Sequence, residues 1–255
     1  MTELQNEPIK PSRGIYLLPN LFTTAALFSG FYSIVAALKG SFDVAAIAIF
    51  FAMIADTLDG RIARLTNTQT AFGAQYDSLS DMVAFGVAPA LVMYNWSLLR
   101  LGKIGWLIAF IYTAATALRL ARFNTQVGHE DKRYFQGLPC PAAAALIAGL
   151  VWLGYVYDIE GYLIVIPGGL LTLLAAAFMV SSIRFNSFKQ IDLKGKVPFM
   201  VPVLVVLILA AIAIEPPEML FALFLCYALS GPILTLWQLR KMRKSSKNTR
   251  KQKLS

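Results

Sequence analysis

The chain reads D-T-L-D-G-R-I-A-R over residues 56–64 and G-A-Q-Y-D-S-L-S-D over residues 73–81. The first stretch carries two aspartates three residues apart, and the second carries two that are four residues apart. Both spacings place a pair of side chains on one face of a helix. Carboxylates on two adjacent helices form a site for hard divalent cations, which usually bind phosphates as well. The four candidate ligands are Asp56, Asp59, Asp77 and Asp81.

The composition around these acids is that of a membrane protein. Hydrophobic residues make up 57% of the 255 residues and charged residues only 15%, and the mean hydropathy is +0.62. A soluble domain carries about 25% charged residues. We therefore predict an all-α polytopic membrane protein. Nothing outside the basic C-terminal segment favours nucleic-acid binding, so we expect no nucleic acid as a partner.

Apolar runs long enough to span a bilayer as helices occur eight times. They lie at about residues 16–38, 43–60, 79–99, 104–124, 139–157, 161–182, 199–215 and 217–239. We expect these runs to form one membrane domain over residues 15–239. A polar segment, residues 1–14, precedes this domain, and a basic tail, residues 240–255, follows it.

The distribution of basic residues predicts the orientation of the spans. If the N-terminus is cytoplasmic, 20 of the 23 lysines and arginines fall on the cytoplasmic side, and the exceptions are Lys39, Arg100 and Lys103. Basic residues are enriched in the cytoplasmic loops of membrane proteins. We therefore predict that both termini are cytoplasmic and that the acids face the cytoplasm from the inner (cytoplasmic) cell membrane.

Three features outside the acid cluster lead to smaller predictions. The basic tail either binds anionic lipid at the cytoplasmic surface or serves as a disordered topology anchor. Cys140 and Cys226 lie in or beside apolar segments and form no zinc or disulfide pattern, so we interpret both as packing residues. His129 lies in a polar loop, and we expect it to be exposed and non-catalytic.

The position of the acids makes them functional candidates. Ionisable groups at membrane depth cost at least ~2.5 kcal/mol each. Four clustered carboxylates would also repel one another, and two divalent cations would make the set roughly neutral. Carboxylate ligands suit both Mg²⁺ and Mn²⁺. The simpler alternative is that the acids flank two span ends and pair with Arg61 and Arg64, which we expect in the loop between the spans.

Small residues beside the acids leave space for a ligand. Gly60 lets a ligand approach the backbone. Ala63 lies one turn beyond the first acid pair, and Gly73 lies one turn before the second. Arg64 could hold a phosphate or stack on a base.

The two stretches together resemble the motif of the CDP-alcohol phosphatidyltransferase family. Every fixed position of the pattern D-x2-D-G-x2-A-R-x8-G-x3-D-x3-D is matched. The resemblance implies a helical membrane protein, commonly a homodimer, that binds two divalent metals and a CDP-linked lipid. It implies that the metal ligands are Asp56, Asp59, Asp77 and Asp81, the last of which would also be the general base. It implies a pocket for the CDP-lipid that is formed by Asp56, Gly60, Ala63, Arg64, Gly73 and Asp77.

The reaction that the resemblance implies needs an acceptor hydroxyl to lose its proton, and Asp81 is the proposed base. The hydroxyl attacks the lipid-bearing phosphorus, and CMP leaves. The metals would stabilise the charge that develops on the phosphoryl oxygens and the leaving group. The motif contains no evident covalent nucleophile, so we favour direct in-line displacement.

The first span contributes two polar residues near its beginning, Asn20 and Thr23, which are one turn apart. The family resemblance implies that a Pro-Asn at this place faces the pyrophosphate and the metals. The alternative is a helix start, in which Pro19 punctuates the chain and one of the two polar residues caps the helix.

Three stretches outside the motif bear on the acceptor alcohol. They read Y-L-L-P-N-L-F-T-T-A-A-L-F-S-G-F-Y-S-I over residues 16–34, L-R-L-A-R-F-N over residues 118–124 and F-Q-G-L-P-C-P-A-A-A over residues 135–144. Together they resemble the bacterial and archaeal membrane phosphatidylserine synthases, a group within the family, over roughly residues 15–190. This resemblance implies CDP-diacylglycerol as the donor and L-serine as the acceptor.

L-Serine carries a carboxylate that arginines could bind. Arg119 and Arg122 are three residues apart near the end of the fourth span, and Asn124 adds a polar partner. A helix break at Gly137 and Pro139 could present backbone groups to a small ligand. The alternatives are positive-inside anchoring for the arginines, a helix C-cap for Asn124 and an ordinary loop-to-helix transition for the Gly-Pro run.

The residues alone leave other functions open. Glycerol 3-phosphate as the acceptor would give phosphatidylglycerophosphate, and an inositol phosphate would give another lipid. A cation transporter also carries buried acids, but we expect its carboxylates near mid-membrane on several helices. Here all four acids are predicted at one membrane boundary on two consecutive helices, which favours the transferase.

Overall fold

The computed structural model describes residues 17–126, 134–186 and 200–252. Within these ranges the backbone forms the helices α1 (Leu17–Leu38), α2 (Phe42–Leu65), α3 (Ala71–Asp81), α4 (Ala88–Trp96), α5 (Lys103–Gln126), α6 (Cys140–Val156), α7 (Val165–Val180), α8 (Met200–Ile214) and α9 (Pro216–Gln252). A π-helical turn, Met82–Val87, joins α3 to α4. Short 3₁₀ turns cover Leu98–Leu101 and Gly161–Leu163.

Helices occupy all eight apolar segments that the sequence predicts. Three of the described helices contain a stretch long and apolar enough to cross a membrane, namely Leu18–Leu38, Lys103–Thr125 and Pro216–Thr235. The helices α6, α7 and α8 are apolar but shorter. The prediction of a helical membrane protein is therefore confirmed, whereas the eight crossings and the cytoplasmic termini stay predictions.

The second helix is longer than its apolar run. It continues to Leu65, so Arg61 and Arg64 lie on α2 and the prediction that placed them in a loop is wrong. The last turn is still hydrogen-bonded, because the backbone N–H of Thr66 donates to the carbonyl of Ile62 at 2.9 Å. Charged residues in the final turns hid this extension from the hydropathy pattern.

The third segment begins earlier than its apolar run. α3 starts at Ala71, before the predicted start of the span at residue 79, and only residues 66–70 separate it from α2. Thr70 caps the helix, since its hydroxyl accepts a hydrogen bond from the backbone N–H of Gly73 at 2.9 Å. An N-cap threonine satisfies a backbone donor that the first helical turn leaves free.

Small residues let α1 approach its neighbours closely. A Cβ atom on Gly30 would lie 2.6 Å from the Cα atom of Ala84, so glycine is needed where α1 crosses the π-helical turn. The Ser33 hydroxyl donates to the carbonyl of Ala45 in α2 at 2.7 Å. Ala45 and Ala52 are fully buried. Close backbone approach and interhelical hydrogen bonds are the usual basis of helix packing in membranes.

A small β-ribbon lies beside the helices, which the all-α prediction does not include. Strands β1 (Tyr134–Gln136) and β2 (Arg184–Asn186) pair antiparallel. Next to it, the backbone N–H of Gly137 donates to the carbonyl of Ile183 at 2.8 Å. Gly137 has a φ of +76°, a conformation that glycine adopts without strain. The ribbon therefore ties the start of α6 to the end of α7.

The structure bears on some of the smaller predictions. α9 continues as a helix to Gln252, so the backbone of the basic tail is helical rather than disordered over most of its length. Cys140 is buried, as expected of a packing residue, whereas Cys226 is exposed, so the packing interpretation of that cysteine is wrong within this chain. His129 and residues 1–14 lie outside the described residues.

The described residues next to the loops predicted to be cytoplasmic meet at one end of the bundle, which we call the site end. Hydrogen bonds there join the beginning of α1 to the ends of α2 and α3, and the end of α3 to the end of α5. Others join the residues just before α6 to the ends of α5 and α7. At the opposite end, the Ser97 hydroxyl donates to the carbonyl of Gly161 at 2.7 Å. The rings of Phe42 and Tyr155 also meet at that end.

Candidate active site

The four motif aspartates come together at the site end. Carboxylate oxygens of Asp56, Asp59 and Asp77 lie within 4.8 Å of one another. The Asp81 carboxyl group is within hydrogen-bonding reach of the Asp56 carboxyl group. Asp59 is only 4% exposed, and the other three are partly buried. The expected convergence of two helices is thus what the structure has.

The donor set of this cluster fits divalent cations. Hard cations prefer carboxylate oxygens, and three such oxygens are gathered within 4.8 Å. Unit charges 4 Å apart repel by about 1 kcal/mol in water, and by more where the surroundings are less polar. A bound cation relieves this repulsion, so the arrangement suits Mg²⁺ or Mn²⁺.

Thr23 connects three helices at the cluster. Its hydroxyl donates to the Asp59 carboxylate at 2.8 Å and also lies 3.1 Å from the carbonyl of Pro19. The Ser80 hydroxyl, in α3, donates to the carbonyl of Thr23 at 3.0 Å. Both Thr23 and Ser80 are buried. The beginning of α1 therefore orients an aspartate of α2 and is itself held by α3.

A cavity of about 320 Å³ opens beside the aspartates. Its lining includes Asn20, Thr23, Gly60, Ala63, Arg64, Gly73 and Asp77, which are all of the residues predicted to bind the CDP-lipid except Asp56. The metal-ligand candidate Asp59 lines it as well. The aspartate cluster and the predicted lipid-nucleotide residues therefore form one continuous site.

Glycines keep this cavity open. A Cβ atom on Gly60 would lie 3.5 Å from a terminal nitrogen of Arg64, so the guanidinium group is positioned above this glycine. A Cβ atom on Gly73 would lie 3.1 Å from the Thr70 hydroxyl oxygen and 3.6 Å from the side-chain oxygen of Asn20. Larger residues at either position would take up space at the cavity wall.

Several lining residues were missed by the sequence analysis. They are Thr68, Gln69, Thr70, Ala74 and Phe123, whereas Pro19 belongs to the Pro-Asn pair and lines the cavity beside Asn20. Thr68, Gln69 and Thr70 belong to the polar run between the two acid pairs, and this position in the sequence was a signal that they lie near the acids. Phe123 had no local signal, because it reaches the cavity from α5 through tertiary packing.

Arg119, expected to bind an acceptor carboxylate, contacts the main chain. One terminal nitrogen donates to the carbonyl of Gln136 at 2.7 Å and lies 3.4 Å from the carbonyl of Met179. A Cβ atom on Gly137 would lie 2.9 Å from that nitrogen. These contacts hold the β-ribbon against α5 and α7. A residue with a Cβ atom at position 137 would therefore displace the Arg119 guanidinium.

The other acceptor candidates are distributed over two places. The Asn124 amide nitrogen lies 3.0 Å from the Ser78 hydroxyl oxygen, so Asn124 contacts α3 one residue away from Asp77. Arg122 lies in the same turn of α5 and is partly buried. Pro139 precedes α6 as its N-cap residue, beside the ribbon. The structure thus separates Asn124 from the group that surrounds Arg119.

A π-helical turn follows Asp81 directly. Residues Met82–Val87 form this turn, and Pro89 comes two residues later. Proline has no N–H, so it cannot donate to the carbonyl of Phe85, its acceptor in an α-helix. The hydroxyl of Tyr112, in α5, donates to that carbonyl at 3.1 Å. π-helical turns within α-helices often occur at functional sites.

Comparisons with known proteins agree with this site. A family model described as CDP-alcohol phosphatidyltransferase matches residues 16–174. A Helicobacter pylori (strain J99) protein named CDP-diacylglycerol–serine O-phosphatidyltransferase is 38% identical over 236 residues, covering 92% of this chain and 96% of that protein. A protein of the same name from Methanocaldococcus jannaschii is 39% identical over 187 residues, covering 72% of this chain and 81% of that protein. Archaetidylserine synthase from Methanothermobacter thermautotrophicus is 34% identical over 170 residues, covering 66% of this chain and 69% of that protein.

Proposed function

The chain belongs to the CDP-alcohol phosphatidyltransferase family, and we propose that it transfers the phosphatidyl group of CDP-diacylglycerol to the hydroxyl of L-serine, with release of CMP. The observation that carries this proposal is the convergence of the motif aspartates on a cavity lined by the rest of the motif. The names of the similar proteins support serine as the acceptor.

The donor would bind in the cavity of about 320 Å³ beside the aspartates. Arg64, which lines this cavity, would contact a phosphate of the pyrophosphate, because arginine binds phosphate through two parallel hydrogen bonds. Gly60 and Gly73 leave the wall open to the nucleotide. Asn20 and Thr23 would close the pyrophosphate side from α1.

The metal requirement follows from the donor set. Asp56, Asp59, Asp77 and Asp81 would hold two divalent cations, Mg²⁺ or Mn²⁺, which when bound supply Lewis-acid stabilisation of charge on the phosphoryl oxygens and the leaving group. Thr23 keeps the Asp59 carboxylate in place through its hydrogen bond of 2.8 Å.

Asp81 would act as the general base. Its carboxylate accepts the proton of the serine hydroxyl while the hydroxyl oxygen forms a bond to the lipid-bearing phosphorus. The bond between that phosphorus and the bridging oxygen of the pyrophosphate breaks, and CMP leaves with this oxygen. The products are phosphatidylserine and CMP.

The acceptor would enter from the site end, which we propose faces the cytoplasm from the inner membrane. Asn124 and Arg122 lie at the end of α5, where Phe123 lines the cavity. The main-chain contacts of Arg119 and Gly137 favour a supporting role for these two residues, with Pro139 starting the helix behind them. A homodimer embedded in membrane lipids is the assembly that the family implies.

An acceptor competition experiment tests this proposal. The purified protein in nanodiscs containing CDP-diacylglycerol is given equal concentrations of L-serine, glycerol 3-phosphate and an inositol phosphate, each with a different isotope. We expect the label of serine alone in the product lipid, identified by mass spectrometry. Label from glycerol 3-phosphate instead would keep the reaction class and overturn the acceptor.

The stereochemistry at phosphorus tests the direct displacement. A donor made chiral at the lipid-bearing phosphorus should give a product of inverted configuration, because a single in-line attack inverts that centre. Retention would indicate a covalent intermediate formed by two successive displacements, and would contradict the proposed step.

A further inference from the structure

The connection between α3 and α4 is surrounded by three features that the proposed chemistry does not use. They are the π-helical turn Met82–Val87, Pro89 at the beginning of α4 and a buried tyrosine on α5. Tyr112 is fully buried, and its hydroxyl donates to the carbonyl of Phe85 at 3.1 Å. A buried tyrosine hydroxyl usually has such a partner.

The proline explains why the Phe85 carbonyl needs a side-chain donor. In an α-helix, the N–H of residue 89 would donate to this carbonyl, but Pro89 has none. Phe85 is fully buried, so its carbonyl is shielded from water, and the Tyr112 hydroxyl supplies a donor that α-helical register would not. Prolines in membrane helices are tolerated where neighbouring side chains and local π geometry satisfy the backbone groups that they release.

A second contact joins α5 to the same turn. A Cβ atom on Gly86 would lie 3.1 Å from a methyl carbon of Thr116, so the two segments approach closely at this glycine. Thr116 lies one turn after Tyr112 on α5. Both residues are fully buried. The face of α5 that carries them therefore packs directly on the π-helical turn.

The π-helical turn sets the direction of the acids on α3. Each residue of an α-helix advances by roughly 100° around the axis, and a π-helical turn contains one residue more. Val92 and Met93 of α4 are fully buried and anchor that helix in the core. A change of this turn to α geometry would therefore rotate Asp77 and Asp81 by roughly 100° relative to α4.

We propose that Tyr112 is a positioning residue for Asp81. Its hydroxyl holds the Phe85 carbonyl that Pro89 leaves without its helical donor, and this keeps the π-helical turn that directs Asp81 toward Asp56. The inference rests on the proposed function, since its effect is read in transfer to serine. Tyr112 itself does not contact the reacting atoms.

Three variants of the full-length protein in nanodiscs test the inference. Y112F removes the hydroxyl and keeps the ring, so we expect kcat to fall by about 10- to 100-fold with KM for CDP-diacylglycerol unchanged. Y112F/P89A returns a backbone N–H opposite Phe85, so we expect its melting temperature to recover while kcat stays low. T172V removes a fully buried hydroxyl that donates within its own helix, and we expect wild-type kcat.

Wild-type kcat in Y112F overturns the inference, as does a double variant whose kcat recovers together with its melting temperature. If Y112F does not fold, a folded double variant with low kcat supports the inference. A double variant that fails to fold contradicts it, because the added N–H should replace the lost hydroxyl. Wild-type protein without serine-dependent CMP release would instead refute the proposed function.

Discussion

The two ends of the helical bundle differ in the balance of polar and aromatic contacts. At the site end, side-chain hydrogen bonds connect helices, as between Thr23 and Asp59 at 2.8 Å. At the opposite end, the guanidinium of Arg100 lies 5.2 Å from the ring centre of Tyr162. There Gly154 also leaves just enough space for the ring of Trp96.

This difference assigns separate tasks to the two ends. The charged groups at the site end can bind ligands, and they lie beside an open cavity. Their mutual repulsion and the unfilled space both lower the stability of that end. Aromatic rings and glycines at the opposite end pack densely, and a well-packed interior is sensitive to added volume. Changes at the site end should therefore alter turnover, and changes at the opposite end should alter stability.

The largest expected effect is the loss of turnover in D81N. The amide cannot accept the serine proton, and general-base catalysis contributes about 10²- to 10⁴-fold in rate. Turnover measured by CMP release should fall by that factor, while CDP-diacylglycerol binding and the melting temperature are retained.

The matched control for D81N is D158N. Asp158 is exposed near the opposite end and has a φ of +50°, which asparagine also tolerates. It should turn over at the wild-type rate. Turnover of D81N close to that of D158N would sink the assignment of Asp81 as the base.

Added volume at the opposite end is expected to give the next largest effect. A Cβ atom on Gly154 would collide with the ring of Trp96, and overpacking costs about 1–3 kcal/mol. G154A should therefore lower the melting temperature and leave KM for the donor unchanged. For comparison, a Cβ atom in G60A would lie 3.5 Å from the Arg64 guanidinium, an ordinary contact. G60A should melt like the wild type, and equal losses of stability in both variants would remove the distinction between the ends.

A smaller effect on turnover than that of D81N is expected from T23V. The valine keeps the volume but loses the hydrogen bond to Asp59, which is worth about 1.5–3 kcal/mol when one partner is charged. Initial rates at varied donor and Mg²⁺ concentrations should show a smaller loss of turnover than in D81N. They should also show a higher Mg²⁺ requirement than in the wild type. T113V, whose hydroxyl donates only to Ala109 of its own helix at 3.0 Å, serves as the control. An unchanged Mg²⁺ requirement in T23V would contradict the positioning of Asp59 by Thr23.

The smallest effect is expected from R100Q. Loss of an exposed cation–π contact costs about 0.5–1 kcal/mol. The melting temperature should fall slightly, and serine-dependent CMP release should not change. A loss of turnover in R100Q would show that the opposite end influences the chemistry after all.

Local spacing was enough to predict the core of the site. The acids of α2 and α3, with Gly60, Ala63 and Gly73, lie on helices, where residues three or four apart share a face. Packing of both helices against α1 then brings Asp59, Asp77 and these small residues to one cavity. The end of α2 and the start of α3 were predicted less well. The last turns of α2 carry charged residues and the N-cap of α3 is a polar threonine, so neither belongs to an apolar run.

Contacts between distant segments were beyond local spacing. Asn124 reaches Ser78, and Arg119 reaches Gln136, only because α5 packs beside α3 and the β-ribbon. Proline is typical of a helix irregularity, but Pro89 was not used in the sequence analysis. That Tyr112 donates to the carbonyl of Phe85 depends on the tertiary arrangement, which a one-dimensional pattern does not contain.

The central claim is that the aspartate cluster couples CMP release to an acceptor alcohol. The most direct measurement is CMP release from CDP-diacylglycerol by the purified protein in nanodiscs, with and without L-serine. We predict release only with serine, in a 1:1 ratio to phosphatidylserine, abolished by EDTA and restored by Mg²⁺ or Mn²⁺. Release at the same rate without serine, or release that EDTA does not affect, would contradict the account.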